Sequence, residues 1–196
     1  MQGKNRLSEY RLFEYFTSAL SEVQRTDVQI LSWQKPKMAF CFRLASYLQN
    51  RMDELFVDVQ PCAENRLSPL CDILVHSRDQ EDYRPLAIIC KPDYLCSTEQ
   101  NHLIQLGSDS GTLALGISFF PARSYFLIYR ALQDRMEYYH FDRETLSCEP
   151  LKSRDLQDCK EDEAQLTLKL PRTRARKNSV TRVDSTVNGG NDSEEN

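Results

Sequence analysis

An acid and a lysine near the ends of two successive apolar strands are side chains that metal-assisted cleavage of a phosphodiester would use. The run Cys71-Asp72-Ile73-Leu74-Val75-His76 reads as a buried strand led by a carboxylate. After a polar turn, Leu86-Ala87-Ile88-Ile89-Cys90 reads as a second strand, ending on Lys91. Side chains two apart on a strand share a face, so position 89 points where Lys91 points. Such chemistry uses magnesium to position water and to neutralise charge on the phosphate, and magnesium prefers about six oxygens in near-octahedral geometry. Asp72 offers one oxygen. A second carboxylate belongs at position 89, where the chain has Ile89, which supplies none and excludes water. The spacing suggests the layout of a nuclease more strongly than its activity.

The elements that must position these residues are legible from periodicity. Residues 7–25 form a helix on the three- and four-residue recurrence of Tyr10, Leu12, Phe13, Phe16, Leu20 and Val23. The segment 28–33 is expected to be a strand or an extended connector, with Pro36 restricting the chain just beyond it. A second helix spans 38–52, with Phe40, Leu44, Tyr47, Leu48 and Met52 available for its inner face. Residues 55–60 alternate as a half-buried strand does. Beyond Lys91, 97–106 reads as a helix with Ser97 or Thr98 as N-cap and Gly107 at its stop. Strands are expected at 112–119, 124–129 and 136–141, and a candidate edge strand at 165–170 comes after the acidic stretch 158–163. The fold class is therefore α/β (α+β): a single mixed β-sheet flanked by helices.

The bulk numbers suit one domain. A chain of 196 residues with 40% hydrophobic residues can build a real core. The formal net charge of −4 gives no general attraction to nucleic acid, so such binding must come from a local patch. No apolar run approaches a membrane span, and the first ten residues lack the apolar stretch of a secretory signal. Seven cysteines without metal-ligand spacing point to a reducing, cytoplasmic setting, with Cys41, Cys71 and Cys90 as small buried hydrophobes. His76, His102 and His140 are scattered among different elements and read as structural.

Residues about 38 to 141 resemble the PD-(D/E)XK nuclease superfamily. Within it, they resemble the N-terminal domain of type I restriction endonuclease R subunits and its small stand-alone relatives. Asp72 falls at the first acid, with Cys71 in place of the family's proline and Pro69 displaced by two positions. The run Arg84-Pro85-Leu86-Ala87-Ile88-Ile89-Cys90-Lys91 is similar to the family's strand ending in Glu-Cys-Lys, with the acid replaced by Ile89. The resemblance implies a remnant site of Asp72, Lys91 and Gln105. Gln105 lies on the helix where relatives carry a glutamine facing the DNA cleft, and Asp109 stands in place of a tyrosine. It also implies weak metal binding by Asp72 with the Cys90 backbone carbonyl. On the preceding helix the position expected to be acidic is Lys37 or a neighbour. Asp93 or Glu99 would be the relocated acid if catalysis survives.

These residues divide the chain into a helical extension (1–37), a restriction-endonuclease-like core (38–150), an acidic segment with a candidate edge strand (151–170) and a disordered tail (171–196). In the tail, Arg172, Arg174, Arg176 and Lys177 are candidate phosphate contacts. The aromatic residues of 119–141 are expected to pack the core, with base stacking as the alternative. Three functions are compatible with this pattern: a degenerate, non-cleaving nuclease-like protein that binds DNA, RNA or a protein partner; an active magnesium-dependent nuclease of restriction or mobile-element type; and a structural partner-binding domain without a nucleic-acid role. The first leans away from an enzyme and needs no cofactor; the second needs magnesium. No membrane partner is expected.

Overall fold

The computed structural model describes residues 7–61, 71–79, 83–108, 111–133 and 135–152. All of them belong to the unit Met1–Cys159. The elements run α1 (Glu9–Thr26), a short 3-10 helix (Val28–Ser32), α2 (Lys37–Gln49), β1 (Phe56–Val59), β2 (Ile73–His76), β3 (Leu86–Lys91), α3 (Ser97–Ser108), β4 (Leu113–Phe119), β5 (Tyr125–Ala131), β6 (Met136–Asp142) and β7 (Cys148–Leu151). The seven strands form one mixed sheet in the order of the sequence. All neighbours are antiparallel except β3 and β4, which run parallel because α3 carries the chain back between them.

Strand parity divides the apolar residues between two layers. On one face Ile73, Val75, Leu86, Ile88, Cys90, Leu115, Ile117 and Phe119 meet the inner stripes of α1 and α2. The stripe of α1 is Leu12, Phe16, Ala19, Leu20 and Val23, the spacing of one helical face. Phe40 of α2 stacks on Phe119 at 4.0 Å between ring centroids, nearly parallel, and meets Phe126 edge-on. On the other face Leu74, Ala87, Ile89, Ala114, Leu127 and Tyr129 lie with Leu103 and Leu106 of α3. Strand β4 is buried along its whole length because helices cover both its sides.

Three local expectations change. Residues 28–33 form a 3-10 turn rather than a strand, closed by Ile30 N–H donating to the Asp27 carbonyl and Trp33 N–H to that of Ile30. The buried Asp27 fixes this corner by accepting from Arg43 Nε at 2.8 Å and from the Tyr47 hydroxyl at 2.7 Å. Arg43, the largest influence, holds the Asp27 carboxyl below the usual range against the opposing effect of burial. Gly107 does not end its helix; a Cβ there would lie 3.3 Å from that of Ala131, so the residue allows α3 to approach β5. The edge strand β7 is absent from the expected elements because Pro150 interrupts its pattern; an edge tolerates proline, since only one side is paired. Pro69, Asp109, the segments 158–163 and 165–170, the tail 171–196 and its Arg172, Arg174, Arg176 and Lys177 lie outside the described residues.

Candidate functional site

Asp72 and Lys91 come to the same end of the sheet on adjacent antiparallel strands. Asp72 precedes β2 and extends both of its ladders: its N–H donates to the Ile88 carbonyl, and its carbonyl accepts from Gln60 N–H, both at 2.8 Å. Its carboxylate is engaged on both oxygens. Oδ2 accepts the Cys90 N–H at 2.8 Å, and Oδ1 lies 2.9 Å from the Lys37 ammonium at the start of α2. Burial pulls the Lys37 pKa down, but the Asp72 carboxylate outweighs it and raises it above the ordinary value.

Lys91 turns to the opposite face and meets a different acid. Its Nζ donates to Glu99 Oε2 at 2.7 Å. The same oxygen accepts the Cys96 N–H at 2.7 Å. Glu99 is the third residue of α3 and reaches back to the amide just before the helix, which is half of a capping box. Burial pushes the Glu99 carboxyl up, while Lys91 and the Cys96 amide together bring it below its usual value. The Lys91 ammonium is correspondingly raised by Glu99. Asp93 is spent on its neighbour, accepting the Tyr94 N–H at 2.7 Å. Gln105 is exposed and lies about 9 Å further along α3 than Glu99. The structure thus forms two ion pairs, Lys37–Asp72 and Lys91–Glu99, and does not bring Gln105 to either.

Ile89 lies on the Lys91 face of β3, 6% exposed, in the layer that α3 covers. On the other face of β3, the buried Cys90 thiol contacts that of Cys41, and burial holds its pKa well above the ordinary value. Both Asp72 oxygens are occupied, an ammonium already stands against one of them, and position 89 brings no ligand. Among the described residues no three His, Cys, Asp or Glu side chains gather as a metal would require. These residues do not fit a magnesium ion.

The same end of the sheet carries more positive charge. The turn between β4 and β5 is held by Arg143, which donates from Nη1 to the Phe120 and Arg123 carbonyls and from Nε to Gln24 Oε1 at 3.0 Å. Those acceptors are all neutral. Arg123 lies among the rings of Tyr94, Phe120 and Tyr125, 5.0 to 5.6 Å from their centroids. Neither arginine stands out in the sequence, since isolated arginines in a turn carry no spacing signal. A separate groove of about 460 Å³ runs between α2 and the edge strand β1, lined by Phe42, Gln49 and Val57 among others, and includes neither ion pair.

No helix among the described residues is long and apolar enough to cross a membrane. Neither a family model, nor a curated protein sequence, nor a solved structure matches the chain.

Proposed function

We propose that the protein is a non-cleaving variant of the PD-(D/E)XK nuclease architecture that binds nucleic acid at the sheet end holding Asp72 and Lys91. The observation that carries this reading is the Lys37–Asp72 pair: a tethered ammonium occupies the Asp72 carboxylate, and Ile89, on the opposite face of β3, offers it no partner acid. The element order supports it. A helix precedes the first strand, the Asp72 and Lys91 strands are adjacent, and a helix then leads to a strand parallel to the Lys91 strand. With Lys91 already paired to Glu99, Arg143, whose side-chain acceptors are neutral, supplies positive charge at that end toward phosphates.

A protein partner is the second reading. It is favoured by Trp33, Met38 and Phe42 along and just before α2, which are 53%, 40% and 55% exposed. The test is incubation of the purified protein with DNA and RNA substrates in magnesium or manganese at neutral pH, alongside direct measurement of binding. Binding without cleavage is expected. Metal-dependent cleavage lost in Asp72→Ala or Lys91→Ala would replace this reading by that of an active nuclease, with Glu99 as the relocated acid. Absence of binding to any nucleic acid would favour the protein partner.

A further inference from the structure

The aromatic residues of the last strands divide into two groups. Phe119, Phe126, Tyr129 and Phe141 are fully buried and belong to the core. Tyr94, Tyr125 and His140 are only partly buried, and with the more deeply set Phe120 they form a continuous row of rings. The ring centroids are 4.7 Å apart for Tyr94 and Phe120, 5.7 Å for Phe120 and Tyr125, and 4.8 Å for Tyr125 and His140. The row begins at Tyr94, in the loop between Lys91 and α3, and passes across β5 onto β6. Arg123 is lodged among three of these rings. Its Nη1 donates to the hydroxyls of Tyr94 and Tyr125, which fixes the rings and places a guanidinium beside their faces.

We propose that Tyr94, Tyr125 and His140, backed by the buried Phe120 and with Arg123 among the rings, form a stacking platform for single-stranded nucleic acid. Partly exposed rings in a row suit unpaired bases, which present their own π-faces; a duplex hides those faces inside its stack. The guanidinium groups of Arg123 and Arg143 at the same sheet end meet the phosphates, while Lys91 stays paired with Glu99. The inference rests on the nucleic-acid reading above and narrows it to one class of strand.

The test uses the full chain and fluorescence anisotropy. Labelled oligo(dT) and oligo(U) of about 15 nucleotides and a duplex of similar length are compared at roughly 50 and 200 mM salt. Single strands are expected to bind about tenfold more tightly than the duplex, with affinity falling as salt rises. Tyr125→Leu and His140→Leu each weaken single-strand binding about tenfold. Tyr125→Phe, which keeps the ring and loses the hydroxyl, retains binding. Arg135→Ala, at the opposite end of the sheet with a side chain 68% exposed, leaves it unchanged. Thermal melts of each variant separate lost contacts from lost folding. Equal binding of duplex and single strand, with the leucine variants unaffected, overturns the platform and leaves the nucleic-acid reading standing. Loss in Tyr125→Phe equal to that in Tyr125→Leu also overturns it, because stacking would then not be the source. Absence of binding to every probe overturns both.

Discussion

A lysine on a helix and a divalent ion from solution compete unequally for Asp72. The Lys37 ammonium is tethered 2.9 Å from one carboxylate oxygen, whereas an incoming ion must displace it and meets no cluster of further acids among the described residues. Ile89→Glu is expected to destabilise the protein by a few kcal/mol in denaturant titration without metal, because it buries an unpaired carboxylate under α3. The second pair gives a pH prediction. The folded pKa of Glu99 lies below its unfolded value, so its contribution is present above roughly pH 4.3 and fades as pH falls through the folded value. Lys91→Ala removes the ammonium and strengthens the hand of burial, the opposing influence. Glu99 should then titrate at higher pH than in the unmodified protein, as read by carboxyl NMR.

Element packing decides where Glu99 sits. Helix α3 approaches β4 at Gly116, where a Cβ would lie 2.7 Å from Leu103 Cδ1 and 3.2 Å from Leu95 Cδ2. Gly116→Ala is expected to cost about 1–3 kcal/mol through overpacking. It should also disturb the Lys91–Glu99 contact, visible as a changed Glu99 titration. Most elements were legible because their apolar periodicity coincides with the faces they bury, as in α1 and β4. The 3-10 turn at Val28–Ser32 was not, because its conformation depends on Arg43 and Tyr47 gripping Asp27 from a later helix. The site was legible in part. Asp72 and Lys91 could be placed on neighbouring strands, but the Lys37–Asp72 pair depends on how α2 docks, which no local pattern records.

Across the whole unit, the two apolar layers share one set of strands. Alternate residues of β3 face α2 and α3, so neither layer can loosen without disturbing the backbone of the other. Leu44→Ala on α2 and Leu103→Ala on α3 are each expected to cost about 2–5 kcal/mol. Both should lower the midpoint of one common transition, with far-UV and near-UV circular dichroism coincident. Separate transitions for the two variants would show that the layers unfold independently.

Strand order along the sheet equals strand order along the chain. During synthesis from the N-terminus, each strand therefore emerges after its partner already exists, and none waits for a segment still inside the ribosome. The growing sheet has its newest strand at one edge, and the next strand to emerge covers it. Only the passage from β3 to β4 requires a crossover, with α3 forming between them. Vectorial assembly of this kind keeps the lifetime of each open edge close to the time needed to translate the following element.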